Sequence, residues 1–281
     1  MIHVGCSGFY YPDWVGRFYP KTMKASEYLH YYSKHFNTVE INSTFYNYPK
    51  KEMIDRWIDQ FSRIHNFLFS FKFPKQVTHG SEGIDSKAID IAVEFENDVL
   101  SRFSDNKLLG AGLLQFSPYF EPDRVNDWNG KLSELIESLN PGEYRIALEL
   151  RNRKFLRDEN IELLSDLIKN KEISLVTVDS PGLPFFILDY SKFYYIRLHG
   201  RNSDLWYGKA VLDGRMNKYD YLYSRDELKH IMEKIKNLKN EIYIYFNNHA
   251  QSKAAINAME FSELLGLKIN APSDQKSLID Y

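Results

Sequence analysis

Seven strand-like stretches of the chain carry a pair of residues two positions apart: Glu40 with Asn42, Ser70 with Lys72, Leu113 with Gln115, Glu149 with Arg151, Thr177 with Asp179, Arg197 with His199, and Phe246 with Asn248. Side chains two apart share one face of a strand, so each pair sets a polar residue at the carboxyl end of that face. A buried parallel strand ordinarily reads as an unbroken apolar run, and a lone charge inside it is expensive. Repetition of the pattern therefore implies charges that pair with one another around something polar. Two carboxylates beside lysine, arginine and histidine supply a general acid and a general base, because neighbouring charges drive their pKa values apart. On this reading Glu40, Lys72, Glu149 and His199 are the catalytic candidates, and Asn42, Gln115, Arg151, Arg197 and Asn248 bind substrate. The guanidiniums would grip an anionic group. His79, a few residues after the third stretch, is a further binding candidate. The bland alternative is a salt-bridge network of Glu40, Glu149, Lys72 and Arg197 that merely fills the core.

Two narrower chemistries stay open. Lys72 could form a Schiff base if neighbouring cations lower its pKa. A divalent metal could sit among Glu40, Glu149, Asp179, His79 and His199, although no H-E-x-x-H spacing is present and the adjacent cations would repel it. No cofactor is otherwise expected.

The elements that must position these residues are short β-branched and aromatic runs at 2–6, 38–42, 67–73, 108–116, 144–150, 173–179, 194–200 and 241–247. Amphipathic stretches lie between them. Ser224 and Glu227 form a capping box ahead of Leu228, Ile231, Ile235 and Leu238; Ile161, Leu164 and Ile168 make a second stripe; and a last helix from about Ser252 stops near Gly266. Strand then helix, repeated through one uninterrupted chain, predicts a single domain. A closed (β/α)8 TIM-type barrel is favoured over an open doubly wound sheet, since about 250 residues is that barrel's usual size. No glycine-rich phosphate loop argues otherwise. Irregularity is expected around the sixth unit, between Asp179 and Tyr194, together with a long aromatic loop after His199 and a loose tail from about Ala271. Trp14 with Tyr10, Tyr11 and Phe18 reads as an aromatic plug or a pocket cover, as do Trp206 and Tyr207. The basic run "RNRKFLRD" reads as a solvated loop and helix start.

The chain has 281 residues, 43% hydrophobic and 15% aromatic, enough for a large core. Its 36 Lys plus Arg against 38 Asp plus Glu leave a formal charge of −2, so no global field gathers nucleic acid or an anionic membrane. No run approaches a membrane span and no signal-peptide pattern opens the sequence, so a cytoplasmic location is expected. One cysteine, Cys6, agrees with a reducing compartment.

The stretches "GCSGFYYPDWVGRFYP", "FNTVEINSTFYNYP", "FSFKFPKQVTH", "LLQFSPYF", "IALELRNRKF", "YIRLHG" and "YFNNHAQSKAAINA" occur in this order through nearly the whole chain. With them the sequence resembles the DUF72, or YecE-like, family of barrel proteins. The resemblance implies a TIM-type barrel with a polar pocket at the carboxyl ends of its strands, and no settled activity. Carried over by position, it implies that Thr44, Tyr46 and Asn247 join Glu40, Asn42, Lys72, His79, Gln115, Glu149, Arg151, Arg197, His199 and Asn248 in that pocket. Two positions depart from the family pattern: Asn152 stands where a histidine is usual, and no tryptophan occupies the region of Phe155 or Phe9.

The function expected is that of an acid/base hydrolase or isomerase acting on a small polar or phosphorylated molecule. The alternative is a nucleic-acid or nucleotide-binding or repair protein, including a metal-dependent nuclease. Its support is the aromatic wealth of the loops, with 20 Tyr and 19 Phe in the chain. Oligomeric state is not legible.

Overall fold

A computed structural model describes residues 1–64, 66–80, 83–125, 127–140, 142–169, 171–188, 191–207 and 218–267. The fold is mixed α/β with two parallel sheets. The strands are β1 (Ile2–Cys6), β2 (Thr38–Ile41), β3 (Leu68–Lys72), β4 (Leu109–Gln115), β5 (Ile146–Glu149), β6 (Ile173–Leu175), β7 (Thr177–Asp179), β8 (Phe193–Leu198) and β9 (Glu241–Phe246). One sheet runs β1-β9-β8-β7 and the other β2-β3-β4-β5-β6.

Each expected strand is found, most of them shorter by a residue or two at the ends. The sixth differs more. Its run breaks at Val176, whose N–H donates to the Leu148 carbonyl, so that β6 stays with β5 while β7 pairs in the other sheet. A run buried along its whole length cannot announce a change of partner, because both halves are equally buried. The connection after β7 carries a short antiparallel bridge, Ser180 to Leu183, where a helix would not fit.

The chain packs as two compact units. The first comprises Met1–Glu40, Val178–Pro184 and the segment from Ile196 onward; the second comprises Ile41–Thr177 and Phe185–Tyr195. In the second unit the helix Lys51–Phe61 buries Ile54, Trp57, Ile58 and Phe61, a stripe at helical spacing. Each such side chain contributes about 1.5–3 kcal/mol when fully buried. The helix Asp158–Ile168 likewise buries Leu164 and Ile168, with Ile161 at the margin.

In the first unit the helix Arg225–Ile235 starts as expected. Ser224 Oγ accepts from the Glu227 N–H at 3.3 Å, and the Glu227 carboxylate accepts from the Ser224 N–H at 2.8 Å. Leu228, Ile231 and Ile235 are buried, while Leu238 lies in the turn that follows. The last helix, Lys253–Leu264, ends before Gly266 at φ 65°. The aromatic plug is present: Trp14 is buried among Tyr11, Phe18 and Tyr19, and its indole N–H donates to the His249 carbonyl at 2.7 Å. The tail from Ala271 and the loop at 208–217 lie outside the described residues. Among the described residues no helix is long and apolar enough to cross a membrane.

Candidate functional site

The second unit places three of the predicted residues in one hydrogen-bonded chain. In the sheet register Lys72 lies opposite Leu113, and Gln115 opposite Glu149, so Lys72, Leu113, Gln115 and Glu149 share a face at the carboxyl ends of β3, β4 and β5. Lys72 Nζ donates to Gln115 Oε1 at 2.6 Å, and Gln115 Nε2 donates to Glu149 Oε1 at 2.7 Å. A neutral amide thus joins an ammonium to a carboxylate, using its acceptor toward one and its donor toward the other. All three side chains are buried, Glu149 to 1% exposure.

The surroundings complete this cluster from the same unit. The Lys72 ammonium lies 3.5 Å from the centre of the Phe45 ring, a cation–π contact that offsets part of its lost hydration. Thr44 fixes the backbone there, its hydroxyl donating to the Lys72 carbonyl at 2.6 Å. Arg151 approaches Glu149 with Nε at 3.7 Å from Oε1, longer than a hydrogen bond. His79 meets the edge of Phe45 at 4.9 Å, and Thr78 Oγ1 contacts its Nδ1 at 2.9 Å. Burial, with Lys72 and Arg151 as nearby cations, pushes the His79 pKa down to about 4. His79 is neutral at pH 7 and acts as a hydrogen-bonding group.

The first unit holds other polar clusters, built differently. Arg197 donates from Nε to Glu40 Oε2 at 2.9 Å and from Nη2 to Oε1 at 2.7 Å, a bidentate fork with both groups essentially sealed from solvent. Arg201 forks onto Asp179 with bonds of 2.9 to 3.2 Å and extends Nη1 to Glu227 Oε1 at 3.1 Å. Tyr223 donates its hydroxyl to Asp179 Oδ2 at 2.6 Å and accepts the Gly200 N–H at 2.8 Å. Burial and then the Asp179 charge hold the Tyr223 phenol far above its usual pKa, so it stays a donor. Gly200 sits at φ 92°, and a Cβ there would fall 2.5 Å from Tyr221 Cβ, so only glycine lets the chain turn after His199. Tyr221 also donates to Glu227 at 2.6 Å, which ties the helix cap to this cluster.

His199 pairs through Nδ1 with Asn247 Nδ2 at 2.8 Å and faces Trp206 and Tyr219, with ring centres about 6 Å away in each case. Lys218 spans the two aromatic rings at 4.9 and 5.1 Å. Asn248 does something else: its Nδ2 donates to the Tyr221 carbonyl and to Asn257 Oδ1, and Asn257 in turn holds both backbone groups of Tyr223. These two asparagines clamp the loop that carries Tyr223.

Of the predicted residues, Lys72, Gln115, Glu149, Arg151, His79 and Thr44 gather in the second unit, and Glu40 with Arg197 and His199 with Asn247 form pairs in the first. Asn42 precedes the short helical turn Ser43–Phe45 and makes no capping bond with its side chain. Tyr46 is 71% exposed. The Tyr207 side chain lies outside the described residues. The run after Arg151 is solvated and neutralised, Lys154 meeting Glu121 at 3.0 Å and Asp123 at 2.9 Å. Asn152 donates to Glu121 at 2.8 Å.

Sequence reasoning missed Phe45, Arg201, Tyr223 and Glu227. Arg201 carried the one usable signal, since it follows His199 by two, as the other polar positions follow their strand partners. Among the described residues no group of three His, Cys, Asp or Glu side chains is placed to hold a metal ion.

A family model described as "Protein of unknown function DUF72" matches residues 3–278. The chain is 27% identical to the UPF0759 protein YunF of Bacillus subtilis over 286 residues, covering 95% of this chain and 96% of that one. It is 30% identical to the UPF0759 protein YecE of Escherichia coli over 182 residues, 64% of this chain and 60% of that one. Among solved structures, a DUF72 family protein of Thermotoga maritima superposes with a TM-score of 0.79 at 32% identity, covering 95% of this chain and 99% of its own. One from Enterococcus faecalis superposes with a TM-score of 0.78 at 24% identity, covering 98% of this chain and 100% of its own, a likeness of fold. The chain belongs to the DUF72 family.

Proposed function

We propose that the protein is an enzyme that moves protons on a small polar or phosphorylated molecule, a hydrolase or isomerase, with Lys72, Gln115 and Glu149 as its core. The observation that carries this reading is the buried chain from Lys72 through Gln115 to Glu149. Burying an ammonium and a carboxylate is weak support for stability, since a packed apolar set of the same volume often does as well or better. Charges kept at strand ends despite that are retained for chemistry. Glu149 is the proton-transfer group. Lys72 and Arg151 steady negative charge that develops on the substrate. Gln115 fixes the distance between the two charges and lets a change at one be felt at the other.

Glu40, expected among the catalytic groups, is held in position by the bidentate fork of Arg197. The finer architecture, a closed (β/α)8 barrel, belongs to the same proposal and is supported by the alternation of strand and helix along the chain. A cytoplasmic setting is also part of it, supported by the single buried thiol of Cys6.

The test is a turnover screen against sugar phosphates and nucleoside phosphates, with Glu149→Gln beside wild type. Loss of a positioned general acid or base lowers the rate by about 10²–10⁴-fold. Undiminished turnover in the variant would remove Glu149 from the mechanism. A nucleic-acid-binding reading has one specific support, the Lys218, Trp206 and Tyr219 cluster in the first unit, with the two rings edge to face. It predicts binding to short single strands that falls steeply with salt, and salt-insensitive or absent binding would sink it.

A further inference from the structure

Beside the proton-transfer cluster, within the second unit, lies a cavity of about 550 Å³ bordered by His79, Ser117, Tyr119, Arg124 and Lys131. We propose that this cavity seats a phosphate monoester carrying a planar ring, of which a nucleoside monophosphate is the simplest example, and that this is the substrate class of the neighbouring cluster. The proposal rests on the acid/base reading for the word substrate and on the cavity alone for the ligand.

The size fits, because small-molecule sites span about 300–1,000 Å³. The charge is the stronger argument. Among the described residues no carboxylate lines the cavity, and neither Arg124 nor Lys131 has an ion-pair partner. The contrast lies a short way along the same loop, where Lys154 and Arg157 are neutralised by Glu121 and Asp123. Acidic residues are therefore close in sequence, yet they are turned toward other cations. Two cations left facing a cavity suit a dianion, and a phosphate monoester carries about −1.5 to −2 near neutral pH. A lysine or arginine alone on a surface would mean only solvation.

The ring-binding half comes from Tyr119. The turn that carries it is anchored from inside: Phe120 stacks on Phe116 at 4.5 Å and on Phe155 at 5.8 Å. Ser117 Oγ accepts the Tyr119 N–H at 3.2 Å. Tyr119 itself is 73% exposed, with the Arg124 guanidinium 5.7 Å from its ring centre. A large aromatic held out of the core on a fixed turn, with a cation beside it, offers a face for stacking. His79 links the two regions. It borders the cavity and packs against the ring of Phe45, whose face carries Lys72. A phosphate between Arg124 and Lys131 would thus leave the rest of the molecule pointing toward the cluster.

Calorimetric titration of the full chain with AMP, adenosine and ribose 5-phosphate reads this directly, without turnover. AMP should bind, adenosine far more weakly, and ribose 5-phosphate in between. The Arg124→Ala/Lys131→Ala double variant should lose about a hundredfold in AMP affinity, and Tyr119→Ala about tenfold while keeping its affinity for ribose 5-phosphate. Glu149→Gln should bind AMP as wild type does, so failure of the catalytic assignment and failure of the cavity are read separately. Circular dichroism melts of the exposed-residue variants should match wild type. No AMP binding by the wild type, or equal binding by the double variant, would overturn the proposal.

Discussion

The two units bury charge in opposite ways. In the first, each buried carboxylate meets a guanidinium fork, Glu40 with Arg197 and Asp179 with Arg201, and Asp179 takes a phenol as well. In the second, Glu149 is reached through the amide of Gln115, with Arg151 held beyond hydrogen-bond length. A fork fixes geometry through two bonds at once, and suits a part that must not move. A chain of single hydrogen bonds through a neutral side chain allows protonation at one end to shift without unmaking the rest. Under the proposed function, the connectivity of the charges, rather than their burial alone, distinguishes the cluster of the second unit.

The comparison breaks most visibly at Arg197. Replacement by Met takes the guanidinium fork away from buried Glu40, and removing one member of a buried pair costs about 3–5 kcal/mol. Urea unfolding should show that loss for Arg197→Met and a clearly smaller one for Lys72→Met, because Gln115 still donates to Glu149. Equal losses would mean that both clusters are structural.

A middle-sized effect is expected at Tyr223. The Phe variant removes one charge-assisted bond to Asp179 and leaves the buried Gly200 N–H without its acceptor, together worth about 1–3 kcal/mol. A Tyr223→Phe protein as stable as wild type would show that the Asp179 and Arg201 fork stands without the phenol. Because the hydroxyl belongs to the fixed cluster, any turnover of the folded variant should be unaffected.

The smallest effect is a pH dependence. His35 is buried among Phe18, Tyr31 and Phe36, and burial, helped by Lys34, lowers its pKa to about 4. Unfolding raises that value to the ordinary 6.5, so between about 6.5 and 4 the unfolded chain binds the extra proton. His35 therefore favours the folded state above this window and progressively loses that contribution as pH falls through it. His79 acts in the same direction for the second unit. Melting of His35→Leu between pH 7 and 4 should decline less than wild type, and parallel curves would contradict the assignment.

These contrasts also set how much could be read from the chain. Lys72, Gln115 and Glu149 were legible because strand periodicity assigns faces, and three polar residues at the ends of adjacent parallel strands must meet. The pairing of Glu40 with Arg197 was open, since periodicity gives a face and no partner across 157 positions. Arg201 and Tyr223 sit in loops, where no period operates, and the hold of Asn248 Nδ2 on the Tyr221 carbonyl and Asn257 was equally out of reach of periodicity. The break at Val176 was hidden because β6 and β7 are both buried along their whole length. The capping box at Ser224 was readable to the residue because its chemistry is local. That Glu227 would also receive Arg201 and Tyr221 was not.

The most direct test of the account is urea unfolding of the triple replacement Lys72→Met, Gln115→Leu, Glu149→Leu, read beside AMP turnover by the same protein. If the cluster exists for chemistry, exchanging all three polar groups for apolar ones of similar volume should leave stability unchanged or raise it by about 1–4 kcal/mol while turnover disappears. A fold that loses several kcal/mol, or one that keeps its turnover, would contradict the claim that the buried chain in the second unit is the working site.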